Sequence, residues 1–315
     1  MKYIFKTLCC LSALLSATVS CQKINSDEPT ATDNVRISLV SPTPATKVIG
    51  DGTKAKIVYY TAFVNGKSVP TLCQTADLDA NGQAILDLKL VKNVTYTFVF
   101  WAQTPAVTGQ PEYYDLSTFY TDANVKVNYN VPANDDLRDA FCAVEEILVT
   151  GEIDKEVVLR RPFGQINFGA SDYEMVKQLE LHQGMTSEMT VSGVADIINI
   201  LDGSVSNSGT TVPFEAIFTP TAIPTGEDEY ITVQGVQYGY VGMNYVLASE
   251  IGETVSVKGK FVNRTSIWET EILPNVPIRR NHKTNIVGEL FVEHGEIKII
   301  IEPDFNTPDE DVTIN

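Results

Sequence analysis

Carboxylates and histidines are the residue types in this chain that could bind a metal or catalyse hydrolysis. The segment Asp77–Gly82, DLDANG, copies the first half of an EF-hand calcium loop. Its twelfth position is Leu88, whereas calcium needs a bidentate carboxylate there. The three histidines, His182, His282 and His294, stand in neither HExxH nor HxH spacing. We therefore expect a simple turn at Asp77–Gly82, no metal site and no cofactor.

Catalytic motifs are also missing from the sequence. It contains no GxSxG, no P-loop and no GxGxxG, and nothing assembles a nucleophile, a base and an orienting group. Acid pairs such as Glu145-Glu146 are abundant in so acidic a chain and indicate a solvated surface. The sequence therefore predicts a protein that is not an enzyme. A glycosidase remains an alternative, because two facing carboxylates suffice for that chemistry.

The first cysteine beyond the N-terminal apolar run is a candidate for covalent lipid attachment. Lys2 and Lys6 precede a mostly apolar stretch, Leu8–Val19, that is short for a membrane span. Small residues then lead to Cys21, as in a bacterial lipobox. We expect residues 1–20 to be a lipoprotein signal peptide and Cys21 to be acylated, so that a lipid anchor alone reaches the outer membrane. A plain secretory signal is the alternative.

Length and charge limit what the rest of the chain can be. The 315 residues exceed the usual size of one domain, so two domains are expected. The formal charge is −17, and removing residues 1–20 removes two lysines and no acid, which leaves −19. So much negative charge excludes nucleic acid and anionic membrane surfaces as partners. Residues 21–34 are rich in Asp, Thr, Pro and Asn and are predicted to be a flexible leader.

Two cysteines, Cys73 and Cys142, remain after the signal peptide and the lipid site. Export permits a disulfide between them. A chain with two sizeable cores does not need that cross-link, so two free thiols are the expected state, with a disulfide as the alternative.

Period-two hydrophobic alternation and regularly spaced turn signals predict β-sandwiches rather than βαβ units. Val35–Val40 is the first predicted strand, and Asn93–Ala102 is the most β-prone run and a central strand. Tyr173–His182 is predicted as a strand. Asp136–Leu148 has helical spacing and stays open between helix and strand, and Val194–Leu201 indicates a helical turn.

The C-terminal region predicts a hairpin. A β-prone run, Thr284–Val292, is followed by the connection Glu293–Gly295 and by a second strand, Glu296–Glu302. Alternation in the second strand places three isoleucines on one face: Ile297, Ile299 and Ile301. A terminal strand this hydrophobic is either buried in its own sandwich or offered to a neighbouring subunit.

Four aromatic residues cluster in the long loop of the first half: Tyr113, Tyr114, Phe119 and Tyr120. We expect this loop to pack on its own aromatic side chains. Exposed, coplanar rings would instead form a sugar-binding platform, and a surface glycan-binding lipoprotein is therefore the alternative function.

Four parts of the chain resemble the fimbrillins, the major and minor pilin subunits of Bacteroidetes. They are the lipoprotein-like N-terminus, LRRPFGQINF (Leu159–Phe168), GYVGMNYVLAS (Gly239–Ser249) and RRNHKTNIVGEL (Arg279–Leu290) with the apolar strand after it. The resemblance implies an all-β chain of two tandem transthyretin-like (Ig-like) β-sandwiches. They would span residues 35–160 and 161–315.

The resemblance also implies a mode of assembly. In the family, a trypsin-like protease cuts the loop after the first strand, that strand is lost, and another subunit's strand fills the groove. Here the cut would fall between Lys47 and Val48, where the family has Arg. Use of Arg36, or no cut at all in an anchor or accessory subunit, is the alternative.

The donor in that scheme would be the terminal strand, through Ile297, Ile299 and Ile301. The implied protein is a structural subunit of a cell-surface fimbria that serves adhesion. Its partners would be other fimbrial subunits, and its host or bacterial surface ligand is not specified.

Overall fold

The computed structural model of the chain describes residues 31–41, 50–106, 108, 109, 112–209 and 214–302. Within these ranges lie twenty-two strands, two short helices and three 3-10 turns, so the predicted all-β class is confirmed. The helices are α1 (Phe119–Asp122) and α2 (Tyr173–Gln178). The strands are β1 (Thr32–Val40), β2 (Ile57–Val64), β3 (Lys67–Ser68), β4 (Gln74–Asp77), β5 (Gln83–Val91), β6 (Thr95–Gln103), β7 (Tyr114–Asp115), β8 (Asn124–Val127), β9 (Phe141–Leu148), β10 (Ile153–Val158), β11 (Phe163–Ala170), β12 (Thr186–Ser192), β13 (Ile197–Asn199), β14 (Val205–Ser206), β15 (Glu215–Ala222), β16 (Tyr230–Val233), β17 (Val236–Leu247), β18 (Glu253–Val262), β19 (Ile267–Glu269), β20 (Leu273–Ile278), β21 (Lys283–Gly288) and β22 (Ile297–Glu302).

Two sheets enclose the first hydrophobic cluster. One has the order β10-β1-β5, and the other has the order β3-β2-β6-β9 with β4 also paired to β2. Alternate side chains of each strand face the interior, as expected for strands with one face on a core. The cluster includes Ile37 of β1, Val58 of β2, Leu86 of β5 and Phe98 of β6.

A second pair of sheets encloses the larger cluster. One has the order β16-β17-β11-β21-β22, and the other has the order β15-β12-β18-β19 with β20 paired to β18. Phe168 of β11 and Phe261 of β18 meet edge to face in the space between them, with ring centroids 5.6 Å apart. A small four-stranded sheet, β14-β13-β8-β7, adds further residues such as Val125 and Ile198 to this cluster.

Strand β6 is buried on both faces. Phe98 and Phe100 belong to the first cluster, whereas Val99 and Trp101 belong to the second. The sequence of a strand with two buried faces is a continuous hydrophobic run rather than an alternation of hydrophobic and polar residues. This explains why Asn93–Ala102 is the most β-prone run of the sequence.

The two clusters do not separate at a single point in the sequence. The first draws its buried residues from Val35 to Leu159, and the second draws on both halves, from Phe63 to Phe291. The division into domains at 35–160 and 161–315 therefore stays a prediction.

Three local expectations are settled by the structure. Tyr173–His182 is not a strand but contains α2, because Tyr173 and Val176, three residues apart, share the buried face. The helical turn expected at Val194–Leu201 is also wrong, since β13 lies within that segment and pairs with β8 and β14. In the segment left open, Asp136–Leu148, a single 3-10 turn precedes strand β9.

The DLDANG segment is a turn between β4 and β5, as predicted. The Oδ1 atom of Asp79 accepts hydrogen bonds from the backbone N–H groups of Asn81, at 2.8 Å, and Gln83, at 2.9 Å. This is the local capping that favours Asp in tight turns. Among the described residues, no group of three or more histidine, cysteine or acidic side chains is placed to hold a metal ion.

Within the same residues, no helix is long and apolar enough to cross a membrane.

Candidate assembly sites

Strand β1 lies in the middle of its sheet. It pairs with β5 in antiparallel register along all nine of its residues, Thr32↔Val91 to Val40↔Gln83. On its other edge it pairs with β10 in parallel register, Val35↔Ile153 to Val40↔Val158. Removing β1 would therefore leave two facing rows of unpaired backbone groups, one on each side of a groove.

The same strand fills the first core with alternate side chains. Val35, Ile37 and Leu39 are 1%, 0% and 0% exposed. Burying each of them is worth about 1.5–3 kcal/mol relative to exposure. A groove vacated by β1 would thus be apolar at three positions spaced two residues apart, and it would favour a replacement strand with the same spacing.

Arg36, the alternative processing residue, lies within β1. Its side chain is exposed and pairs with Asp87 of β5, with a Nε–Oδ1 distance of 2.8 Å. This hydrogen bond lowers the pKa of the Asp87 carboxyl. The backbone at Arg36 is paired on both edges, to Asp87 and to Asp154, so a protease would have to separate the strands to reach it.

Fixed residues flank the loop that follows β1. The N–H of Ser41 donates to the carbonyl of Gly82 at 2.8 Å, and the N–H of Gly50 donates to Asp136 Oδ1 at 2.8 Å. The predicted cut residues, Lys47 and Val48, lie outside the described residues. So does the predicted lipid site, Cys21.

Strand β22, the last described strand, lies at the edge of its sheet. It pairs in antiparallel register with β21, from Lys283↔Glu302 to Gly288↔Ile297, as the hairpin prediction required. The connection, Glu289–Glu296, is longer than the three residues expected. No described strand pairs with the outer edge of β22.

The isoleucines of β22 are less buried than a strand within a sandwich would require. Ile297 packs against the larger core, but Ile299 and Ile301 are 39% and 41% exposed. Their partners on β21 are Ile286 and Thr284, which are both buried. The three isoleucines share one face, as predicted, but only one of them is part of the core.

A polar junction connects the loop end to the second half of the chain. Arg161 donates from Nε and Nη2 to the two carboxylate oxygens of Asp139, both at 2.6 Å. It also donates from Nη1 to Asn281 Oδ1 at 3.0 Å and from Nη2 to the Gly50 carbonyl at 2.8 Å. Its guanidinium lies over the Phe141 ring, 4.9 Å from the centroid. A buried charge is tolerated when it is paired and hydrogen-bonded in this way.

The three internal segments that resemble the fimbrillins lie side by side here. Leu159–Phe168 leads into β11, Gly239–Ser249 contains most of β17, and Arg279–Leu290 contains β21. In the sheet, β11 is the middle strand and pairs with the other two. Close packing accompanies this arrangement, because a Cβ added at Gly164 would lie 2.9 Å from the carbonyl oxygen of Arg279.

A sequence profile matches nearly the whole of this chain. It describes a family of unknown function, DUF6562, and covers residues 30–315. The chain belongs to this family. Comparison with curated protein sequences finds no match.

Solved structures similar to this DUF6562 chain include proteins of Bacteroides and Porphyromonas species. A "putative cell adhesion protein" of Bacteroides uniformis has a TM-score of 0.50 at 10% identity and covers 86% of this chain and 97% of its own. "Putative polysaccharide binding proteins" of Bacteroides thetaiotaomicron have a TM-score of 0.50 at 10% identity, over 87% and 100%. The tip fimbrial protein Mfa3 of Porphyromonas gingivalis, with a C-terminal truncation, has a TM-score of 0.48 at 9% identity, over 86% and 99%. The expected β-sandwich fold is shared with the first two of these structures, and similarity at this identity establishes the fold alone.

The aromatic loop of the DUF6562 chain packs on its own rings, as expected. Tyr114 and Phe119 are buried, and Tyr113 and Tyr120 are half-buried. The neighbouring pairs are T-shaped, with interplanar angles of 62° for Tyr113–Tyr114 and 69° for Phe119–Tyr120. The Tyr113 hydroxyl donates to Asp135 Oδ2 at 2.5 Å. These four rings do not form an exposed, coplanar platform for sugar.

Cys73 and Cys142 are free thiols, the expected state of the two. Burial raises the pKa of the Cys142 thiol to about 12, so it stays protonated at neutral pH. A protonated thiol is a weak nucleophile, which disfavours disulfide exchange at Cys142.

The residues of the junction carry no motif in the sequence that predicts a role for them. Arg161 and Asn281 each lie inside one of the three quoted segments, but the local pattern carries no sign that they meet. Asp136 and Asp139 were hidden among many other acids. The hydrogen bonds of the junction join residues that are 22 to 120 positions apart in the sequence, and local periodicity cannot detect such contacts.

Proposed function

We propose that this protein is a structural subunit of a cell-surface fimbria, in the shaft or as an accessory or anchor subunit, that serves adhesion and has no enzymatic activity. Subunits would join when the terminal strand of one fills the groove that β1 leaves in the next. The observation that carries the proposal is the position of β1, paired on both edges and inserted into the first core.

The donor matches the groove in spacing and size. The groove would lose Val35, Ile37 and Leu39, which alternate along β1. Strand β22 offers Ile297, Ile299 and Ile301 at the same two-residue spacing. An incoming strand restores both backbone ladders and buries its alternate side chains, as in donor-strand complementation.

Exposed isoleucines on an unpaired edge are a liability for an isolated subunit. Long hydrophobic edge strands promote pairing with other chains unless a partner covers them. The exposure of Ile299 and Ile301 in the isolated chain supports a role for β22 outside its own sandwich. Because donor and groove lie on different parts of the surface, insertion is heterologous and produces filaments rather than closed rings.

Attachment to the cell belongs to the same proposal. Acylation of Cys21 after removal of residues 1–20 would hold the precursor at the outer membrane through lipid chains. Cutting between Lys47 and Val48 would then remove the lipid together with β1 and release the subunit for assembly. An anchor subunit would keep both, because its groove needs no donor.

Limited proteolysis of a soluble chain that begins at Gln22 tests the proposal. The chain is treated briefly with a trypsin-like protease, the new N-terminus is mapped by mass spectrometry, and a denaturing gel is run without boiling. We expect one cut at Lys47 followed by a ladder of stable oligomers. A Lys47→Gln variant is the matched control and should stay uncut and monomeric.

Two outcomes would contradict polymerisation by strand exchange. One is a chain that is cut at Lys47, loses β1 and stays monomeric at high concentration. The other is a ladder that forms equally well with the uncut Lys47→Gln variant, because the groove is then still occupied by β1.

A further inference from the structure

Gly50, where the chain re-enters the described structure after the loop, is bound on both sides of its backbone. Its N–H donates to Asp136 Oδ1 at 2.8 Å, and its carbonyl accepts from Arg161 Nη2 at 2.8 Å. The residue is buried, and its φ of 88° lies in the left-handed region that favours glycine. Satisfying both polar groups of a buried residue fixes its position.

The two groups that bind Gly50 are themselves rigidly placed. Arg161 is held by both carboxylate oxygens of Asp139 and by Asn281. Asp136 Oδ1 also accepts from the hydroxyl of Tyr245, at 2.8 Å. The binding groups therefore belong to β17, to the turn before β21 and to the segments that flank β9 and β11, so Gly50 is tied to the body of the protein rather than to β1.

The residues after Gly50 are also fixed, although they carry two exposed lysines. The Lys54 carbonyl accepts from Thr104 Oγ1 at 3.1 Å, and the Lys56 N–H donates to the Gln103 carbonyl at 2.9 Å. Ala55, between them, is 2% exposed. Trypsin-like cleavage needs the backbone to open locally, and these contacts oppose opening around both lysines.

We propose that Gly50, Asp136 and Arg161 form a downstream anchor that confines maturation to the loop before Gly50 and leaves everything after it attached. This inference rests on the proposed function, and it adds a positioning role for three residues. When the loop is cut, β1 leaves alone. The anchor protects Lys54 and Lys56, whose cleavage would remove the lead into β2.

The anchor also bears on the vacated groove. After a cut between Lys47 and Val48, only two residues precede Gly50, whereas β1 uses nine. A stub that short, tied at Gly50, cannot fill the groove again. The groove therefore stays open to a donor strand from another subunit.

The test compares cut positions and amide exchange in chains that begin at Gln22. Asp136→Ala removes the acceptor for the Gly50 N–H, and Gly50→Ala forces a side chain into the left-handed conformation. Val257→Ala, a buried substitution far along the chain, is the control for general destabilisation. Each chain is treated with trypsin at several concentrations, its N-termini are mapped by mass spectrometry, and hydrogen exchange at Gly50 is measured before and after cutting.

The wild-type chain and Val257→Ala should be cut only before Gly50, and the Gly50 amide should stay protected afterwards. Asp136→Ala and Gly50→Ala should gain cuts after Lys54 or Lys56, with exchange at Gly50 faster by about tenfold. If Asp136→Ala does not fold, Gly50→Ala alone decides. Unchanged cut positions and protection in the variants, or cleavage of the wild type after Lys54, would overturn the anchor.

These readouts separate the anchor from the proposed function. A chain that polymerises while its Gly50 amide exchanges freely would keep the fimbrial proposal and remove the anchor. A chain whose Gly50 stays protected and whose cuts stop before it, but which never polymerises, would keep the anchor and remove the fimbrial proposal.

Discussion

Strands β1 and β22 are the first and last strands described, and they differ in edge pairing and in burial. Strand β1 is paired on two edges and buries its three apolar side chains almost completely. Strand β22 is paired on one edge and leaves Ile299 and Ile301 about two-fifths exposed. Both carry their apolar residues at the same spacing.

The difference indicates which strand is needed for folding and which is available for assembly. Backbone hydrogen bonds on both edges and three buried side chains hold β1 in the folded subunit until a covalent cut allows it to leave. Strand β22 has one row of backbone hydrogen bonds and a partly exposed face, so it detaches more easily. One chain can therefore fold around a strand that it later loses and still present another strand to its neighbour.

The largest expected effect comes from removing β22 altogether. A chain truncated after Glu296 should fold, because the core loses only the contacts of Ile297, and should be cut at the loop like the full chain. It should then form no oligomers, since the donor is gone. The matched control is truncation after Glu302, which keeps β22 and removes only the acidic tail. Gel ladders and sedimentation measure both, and oligomers from the shorter chain would remove β22 as the donor.

Polar substitutions at matched positions should separate the two strands next. Ile37→Asn in β1 buries an amide without a partner and should lower the free energy of unfolding of the uncut chain by about 4 kcal/mol. Ile299→Asn in β22 should lower it by about 1 kcal/mol, because that side chain is partly exposed already. Chemical denaturation measures both changes.

Assembly should reverse that order. Once β1 has been cut away, its substitution no longer matters, whereas Ile299→Asn places an amide in the apolar groove. Ladder formation by the cut chain should therefore fail for Ile299→Asn only. Equal losses of unfolding free energy for the two variants would contradict the contrast between the strands.

The pH dependence of stability tests the junction beside the β1 loop. Burial, with a further contribution from Asp139 and Asp51, raises the pKa of the Asp136 carboxyl to about 6, against the lowering effect of the hydrogen bonds from Tyr245 and Gly50. The folded chain thus holds this proton more tightly than the unfolded chain does. The resulting stability is complete below about pH 4 and is lost as the pH rises through 6.

Asp136→Asn keeps the oxygen acceptor and removes the charge. It should reduce the change in the free energy of unfolding between pH 4 and 7 by up to about 3 kcal/mol. Urea denaturation between pH 4 and 7 measures the slope, with Asp87→Asn as an exposed control. A slope identical to that of the wild type would place the titration elsewhere.

The smallest effect is expected at the surface of β1. Arg36→Ala removes an exposed ion pair with Asp87, and such pairs contribute little to stability. Its unfolding midpoint and its cut position should match those of the wild type. Loss of the maturation cut in this variant would show that Arg36, rather than Lys47, is the processing residue.

The sequence predicts that these two segments are strands, but it does not predict where each strand lies in its sheet. Alternation over Val35–Val40 and Ile297–Ile301 gives both strands, because period two is a local signal. It does not reveal that β1 is central or that β22 lies at an edge, since those depend on partners up to 118 residues away. The strand predicted at Tyr173–His182 was wrong, although the segment is rich in the helix formers Glu, Met, Lys, Gln and Leu and carries one buried helical face.

The junction was beyond prediction for a related reason. The charges of Asp136, Asp139 and Arg161 looked like many other surface charges, and only the fold brings them together, with Asp139 and Arg161 buried and Asp136 half-buried. The packing of the aromatic loop, by contrast, follows from its composition, because four large rings close in sequence bury one another.

Cross-linking from β22 in an assembled filament tests most directly whether this strand fills the groove of another subunit. The substitution Ile299→Met, with photo-methionine incorporated, places a short-range cross-linker on the donor strand, and the parent protein controls for the native methionines. Isotopically mixed subunits separate links within a chain from links between chains. We expect links from position 299 to go to β21 of the same chain before cutting, and to β5 or β10 of another chain after assembly. Links that remain within the same chain in the filament would contradict this expectation.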